Sequence, residues 1–390
     1  MGQNPTSGLL SVKRRKEIYA LCQQYDIIIA EDDPYWYLQY PSANVLSMKA
    51  KGRPVSENYP TESEYNYNTA SGGRSSGFPF LDSLVPSYLS IDTDGRVVRI
   101  DTFSKTVAPG CRLGWITAQP EFIDRIQRIT ETSTQQPSGF VQSLIAELIM
   151  GPSSSSGDSG KGGRKDGSGW KVEGWVRWLE GLRGNYERRM QVMSTILEDG
   201  KYLVQDSKTH PSSSPFDNEG YEVVQKTKMY DFEYPMAGMF LWLRANLETH
   251  PLFDKVEPQR LSRALWTFVI TEPYLVIVSP GTMFSPTDKI REEKGWQYFR
   301  LCFAAVDDDL VKKYSEHLVS AFTDFWAIDD VKTIDDLLKE EDEDSDALLA
   351  KIAAAAMHCQ VSLHQQRPYS FTRSHYPSRV HLPLIQSCAE

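Results

Sequence analysis

The sequence predicts an α/β unit with a mostly parallel sheet over residues 1–150, followed by a smaller α+β unit over 170–326. Three observations predict this. Ile27-Ile28-Ile29 is a short β-branched run that ends in Glu31-Asp32-Asp33-Pro34. Such a run reads as a buried parallel strand, and carboxylates at its C-terminal end sit where open α/β sheets place their ligands. Next, 96–100 reads as a strand that runs into Asp101-Thr102-Phe103-Ser104-Lys105, and a second strand-like stretch, 113–117, leaves that loop. Finally, helical and extended patterns alternate between 174 and 325, as expected of a mixed domain.

The elements follow in order. Asn4-Pro5-Thr6 with Gly8 reads as a turn leading to a helix over 11–25, with Ile18, Leu21, Cys22 and Tyr25 on one face. Met1-Gly2 with Thr6 also fits the loose myristoylation pattern, but turn chemistry accounts for these residues and no second membrane signal accompanies it. Residues 41–80, rich in Ser, Gly, Asn and Pro, read as a long surface loop inserted between the two strands. Residues 151–169 form a low-complexity linker, and its GKGG lacks the ending and flanking strand of a phosphate loop. The second unit reads as a helix over 174–197, with Trp175, Trp178, Leu182, Tyr186, Met190 and Met193 on its apolar side. A strand over 236–242 follows. Its Gly238 serves either a bulge or a close backbone approach. Helix 261–270, strands 274–278 and 298–303 and a closing helix 310–325 complete the unit. From 327 to 390 the chain reads as an acidic and polar disordered tail, with a short helix through 347–352.

Composition narrows the function classes. The net charge of −10 disfavours nucleic acid as a partner. No apolar run is long enough to span a membrane, and no signal peptide opens the sequence. The five cysteines have no paired spacing, which fits a reducing, cytoplasmic setting. Cys22 and Cys302 lie in apolar contexts and read as core. The histidines are scattered, so no metal-ligand motif is present.

The chemistry-bearing residues gather around Lys105. A lysine at a strand end, with Thr102 and Ser104 before it and Arg112 seven residues later, suits one task. The amine can form a Schiff base with an aldehyde cofactor, while the hydroxyls and guanidinium hold that cofactor's phosphate. Asp32 can keep a pyridine nitrogen protonated, and Tyr35, three residues on, can hydrogen-bond the ring oxygen. Asp33 is the alternative to Asp32; the spacing to Tyr35 favours Asp32. Asn4 can donate to the same ring oxygen.

Together the stretches NPTSG, IIIAEDDPYWYLQY, LVPSYLSIDTDGRVVRIDTFSKTVAPGCRLGW, PMAGMFLWL and YFRLCFAA resemble the fold type I pyridoxal-phosphate-dependent aminotransferases. The nearer likeness is to the aromatic, kynurenine and 2-aminoadipate branch. The resemblance covers residues 1 to about 306. It implies the PLP-dependent transferase fold, with pyridoxal 5'-phosphate as cofactor and amino acids and 2-oxo acids as substrates. Lys105 would be the Schiff-base lysine. Asp32 would pair with the ring nitrogen, and Asn4 and Tyr35 with the ring hydroxyl. Thr102, Ser104 and Arg112 would hold the phosphate, and Arg300 would clamp the substrate carboxylate. It also implies a homodimer when the fold is complete, and roughly half of a large domain preceding the asparagine turn. On that ground the large domain is expected to be incomplete, so that the chain needs a second polypeptide, derives from an incomplete gene model, or folds poorly. The alternative to transamination is a weakly active or inactive homologue that acts in interaction or dimerisation. A transcription-regulator half would need a basic winged-helix domain, and none is present.

Overall fold

The computed structural model describes residues 1–55, 67, 73–150, 172–206 and 224–343. In the first unit, helix α1 (Val12–Gln24) starts at Ser11, whose hydroxyl accepts from the Arg14 N–H. Its docked face is not the expected apolar one. Arg15 and Tyr19 are buried, whereas Leu21 and Tyr25 are exposed. Polar partners explain the difference. Arg15 pairs with buried Glu31 at 2.7 Å, and the Tyr19 hydroxyl donates to Asp92 at 2.8 Å. Glu31 is further held by Ser87 and the Tyr88 N–H, so this buried pair has its hydrogen bonds satisfied.

Strand β1 (Ile29–Asp32) pairs in parallel with β2 (Val97–Thr102), which pairs antiparallel with β3 (Gly114–Thr117). The α/β class holds, but among the described residues the sheet has one parallel and one antiparallel ladder. The expected buried run is also different in detail. The strand begins only at Ile29, and Ile27 and Ile28 are 49% and 55% exposed. They precede the ladder and no described element covers them. One sheet face carries Glu31, Val97, Arg99 and Asp101, all buried; the other carries Ala30, Asp32, Ile100 and Ile116, all exposed. Residues 42–50, expected in a loop, form helix α2 (Ser42–Ala50), whose Ala43 is buried. Helices α3 (Pro120–Thr132) and α4 (Gly139–Met150) follow β3. The linker 151–169 lies outside the described residues.

Helix α5 (Val172–Asp199) joins the two units. Its first turns pack Trp175, Val176 and Leu179 against Phe80 and Leu84. Its second half sends Met190, Met193 and Leu197 into the core of the second unit. Trp178 is exposed, contrary to expectation, but its indole N–H donates to the Thr106 carbonyl at 2.7 Å. Beyond the hairpin β4 (Tyr202–Asp206) and β5 (Val224–Lys228) lies an antiparallel four-stranded sheet. Its strands are β6 (Tyr230–Phe232), β7 (Phe240–Ala245), β8 (Ser279–Pro280) and β9 (Tyr298–Cys302), in the order β6-β7-β9-β8. Helices α6 (Pro258–Ile270) and α7 (Asp308–Trp326) share its core with α5.

Three expectations change in this unit. Tyr274, Val276 and Val278 are buried as an alternating strand would bury them, yet the backbone joins no ladder until Ser279. Leu275 has φ 52°, which takes the segment out of extended geometry. Strand 236–242 begins instead at Phe240, because Gly238 turns the chain at φ 86°. The backbone that approaches Gly238 is the N-terminal turn: a Cβ at Gly2 would lie 2.6 Å from the Gly238 nitrogen. The tail does not begin at 327. Helix α8 (Val331–Glu343) buries Ile334 and Leu338 in the same core, and Arg260 pairs with Asp335. The expected helix at 347–352 lies outside the described residues.

Candidate active site

The loop between β2 and β3 positions Lys105. Strand pairing brings Thr102 opposite Gly114, and the Phe103 N–H donates to the Leu113 carbonyl at 3.0 Å. The chain between them folds into a turn in which the Thr106 and Val107 N–H groups both reach the Phe103 carbonyl. Phe103 anchors the turn against Trp115 and Trp175, and Trp178 of α5 holds Thr106. Lys105, half-buried, projects from this braced turn. It makes no hydrogen bond or ion pair among the described residues.

Thr102, Ser104 and Arg112 come together as the sequence predicts. The Ser104 N–H donates to Thr102 Oγ1 at 3.1 Å, and Arg112 Nη1 donates to Ser104 Oγ at 3.3 Å. Arg112 is exposed and adopts the left-handed conformation, with φ 43°. Two hydroxyls and a guanidinium within one loop can take a phosphate.

Asp32 ends β1, level with Ile100 on β2, so it and the Lys105 loop emerge from the same end of two parallel strands. That is where open α/β sheets bind ligands. Asp32 lies on the exposed face. Asp33 is buried, and its Oδ1 takes the Met1 ammonium at 2.6 Å. Burial raises the Asp33 pKa, partly offset by that ammonium. Of the two carboxylates, Asp32 alone faces open space.

Tyr35 follows β1 in a turn, and Asn4 lies in the N-terminal turn. Tyr35 is 7% exposed, and its ring meets Phe240 edge-on at 6.1 Å. Its hydroxyl makes no hydrogen bond among the described residues. Burial raises its pKa, while the Arg300 charge pulls it down and Asp32 pushes it up. Asn4 and Tyr35 are not bonded to each other. Asn4 Oδ1 instead accepts from Arg300 Nη1 at 2.9 Å.

Arg300, on β9, is held more firmly than sequence reasoning anticipated. Its guanidinium lies 4.2 Å from the ring centre of Phe240 and 4.4 Å from that of Phe284, a cation between two aromatic faces. Burial lowers its pKa, with Cys302 and Tyr35 acting the other way. Its Nε is buried without a partner. Phe240 and Phe284 were missed in the sequence. Phe240 is two residues past a strand glycine in an apolar run, and Phe284 lies over 40 residues further on, so only the strand pairing and the following turn unite them. Cys302 was expected in the core but is exposed, because β9 alternates and buries Phe299 and Leu301 instead. Among the described residues, no group of His, Cys, Asp and Glu is placed to hold a metal ion, and no helix is long and apolar enough to cross a membrane.

No family model matches the chain. Named relatives do. The chain is 36% identical over 252 residues to an L-tyrosine:2-oxoglutarate aminotransferase of Tapinella panuoides, covering 64% of this chain and 36% of that protein. It is 31% identical over 307 residues to an aromatic amino acid aminotransferase of Schizosaccharomyces pombe, covering 78% of this chain and 50% of that protein. Among solved structures, aminotransferase Aro8 from Candida albicans superposes with TM-score 0.59 and 28% identity, over 84% of this chain and 56% of that one. The fold is thus that of the fold type I pyridoxal-phosphate-dependent aminotransferases. Within that class the chain is a relative of the aromatic amino acid aminotransferases, and it spans about half the length, or less, of the curated relatives it matches.

Proposed function

We propose that this chain carries the lysine-bearing part of a pyridoxal-phosphate-dependent aminotransferase acting on aromatic or 2-aminoadipate-like amino acids, with 2-oxoglutarate as the second substrate. One observation carries the reading. Asp32 and the Lys105 loop leave the same end of two parallel strands, and neither Asp32, Lys105 nor the Tyr35 hydroxyl has a hydrogen-bond or ion-pair partner among the described residues. The donor set suits the cofactor, with an amine for its aldehyde, a carboxylate for its ring nitrogen and a phenol for its ring oxygen. The Thr102, Ser104 and Arg112 cluster suits its phosphate.

When bound, pyridoxal phosphate supplies an electron-withdrawing ring that makes the substrate α-carbon acidic. Lys105 Nζ would hold the cofactor at its aldehyde carbon and would move the proton at the substrate α-carbon. The Asp32 carboxylate would hold a proton on the ring nitrogen. Tyr35 would orient the ring through its oxygen. Arg300 takes the substrate carboxylate with a planar fork, and Asn4 fixes the rotation of that fork. The relatives' names support this enzyme reading over a purely interacting protein. A cytoplasmic homodimer completes the proposal.

The reading is tested by mixing purified chain, pyridoxal phosphate and L-tyrosine, with 2-oxoglutarate added second. The cofactor absorbance should shift on addition of the amino acid and return with the 2-oxo acid. A spectrum that responds to neither substrate, with cofactor bound, would exclude the chain as a transaminase.

A further inference from the structure

A concave surface lies outside the residues gathered around Lys105. Between α6, the turn at 295–297 and α8 opens a groove of about 620 Å³. Small-molecule sites run from roughly 300 to 1,000 Å³. Phe299 lines the groove, and side chains alternate along a strand, so the groove lies on the opposite face of β9 from Arg300. Two half-buried indoles wall it, Trp266 from α6 and Trp296 from the turn. Hydrogen bonds hold both walls in place. Trp266 Nε1 donates to the Val278 carbonyl at 3.0 Å, Ser262 Oγ to the Trp296 carbonyl at 2.5 Å, and Gln259 Nε2 to the Glu292 carbonyl at 3.0 Å.

Charges of both signs reach this groove. Steps of three residues place Glu257, Arg260, Arg263 and Trp266 along one side of α6, each about 4.5 Å of rise from the next. Among the described residues that line the groove, Glu257 is the one carboxylate. Its oxygens cap α6, accepting from the Gln259 and Arg260 N–H groups at 3.4 and 3.2 Å, and keep lone pairs for a further donor. Arg260 pairs with Asp335 at 2.6 Å, a partly exposed contact that yields to a ligand carboxylate at little cost. The groove thus has a carboxylate beside two guanidiniums, followed by aromatic walls. We propose that it is a second binding site, for an aromatic α-amino acid held as its zwitterion. Glu257 takes the ammonium, Arg260 and Arg263 take the carboxylate, and the ring packs against Trp266 and Trp296. Charge complementarity selects the zwitterion. A plain carboxylate would meet Glu257 with nothing to offer it, and a plain amine would face two guanidiniums. The site uses neither Lys105 nor the cofactor and stands independently of the transaminase reading.

The test titrates L-phenylalanine into the full chain without pyridoxal phosphate and follows binding by calorimetry and tryptophan fluorescence. 3-Phenylpropionate, phenethylamine and L-alanine, which lack the ammonium, the carboxylate and the ring in turn, should each bind at least tenfold more weakly. Arg263→Gln and Trp296→Ala should weaken L-phenylalanine binding several-fold, and Arg300→Gln should leave it unchanged. Arg263 is exposed, so its variant keeps the fold, and the analogue series decides the matter in wild-type protein should Trp296→Ala fail to fold. No binding at millimolar L-phenylalanine, or equal affinity for the amino acid and its analogues, would overturn the proposal. So would a loss with Arg300→Gln as large as with the groove variants, since the ligand would then sit at the Arg300 site.

Discussion

Replacing Arg300 with lysine keeps the charge and removes the fork. The wild-type guanidinium donates to Asn4 at 2.9 Å, reaches Ser279 Oγ at 3.4 Å, and lies between two rings at 4.2 and 4.4 Å. That slot fits a flat cation. A lysine ammonium is a point donor, and it cannot face both rings while donating twice to a carboxylate. Losing one charge-assisted hydrogen bond to the ligand costs about 1.5–3 kcal/mol. Weakening the aromatic contacts adds about 0.5–1 kcal/mol. The sum, about 2–4 kcal/mol, corresponds to roughly a 30- to 700-fold rise in Kd for a carboxylate ligand. Isothermal titration of 2-oxoglutarate into wild type and Arg300→Lys measures it, with cofactor absorbance and thermal melts as controls for the rest of the site and the fold. A Kd that stays close to wild type in a folded variant would remove Arg300 from ligand binding.

Three further outcomes follow from the packing. Ile334 is 0% exposed in the main core, so Ile334→Ala should lower unfolding free energy by about 2–4 kcal/mol in urea titration; no measurable change would place α8 outside the cooperative unit. Gly238→Ala should destabilise by about 1–3 kcal/mol, because φ 86° strains any side chain and the new Cβ meets the Gly2 carbonyl at 3.0 Å; an unchanged melt would mean the N-terminal turn does not pack there. His250 Nδ1 accepts from the Leu252 N–H, Nε2 donates to the Phe325 carbonyl, and burial lowers the ring's pKa from the ordinary 6.5. The unfolded chain therefore takes up the proton first as pH falls below about 6.5. Stability from this group is full above that value and is lost as pH drops through the folded pKa. Wild type should lose more melting temperature between pH 7.5 and 5.5 than His250→Gln, and identical losses would assign the pH dependence to other groups.

Much of the site was legible because it is local in sequence. Thr102 ends β2, Ser104, Lys105 and Arg112 follow in the β2–β3 loop, and hydrogen bonds join Thr102, Ser104 and Arg112. Asp32 and Tyr35 follow one strand. Arg300 was singled out by residue type, but its two aromatic faces come from β7 and from the turn after β8, which no local pattern connects. In the fold, long periodic segments such as α5, α6 and α7 were readable. The misses have physical reasons. Residues 274–278 alternate as a strand would, but alternation reports burial and not ladder hydrogen bonds. Helix α1 docks through Arg15 and Tyr19, since Glu31 and Asp92 provide buried partners that an apolar periodicity ignores. Helix α8 was hidden by its acidic composition; Ile334 and Leu338, four residues apart, are enough to seat it.

The central claim is that Lys105 holds the cofactor. Purified chain is incubated with pyridoxal phosphate, reduced with borohydride, digested, and mapped by mass spectrometry alongside Lys105→Ala. The account predicts that the label concentrates on Lys105 in wild type and is lost from the variant. Label spread over exposed lysines such as Lys289 and Lys339, unchanged by Lys105→Ala in a folded sample, would contradict it.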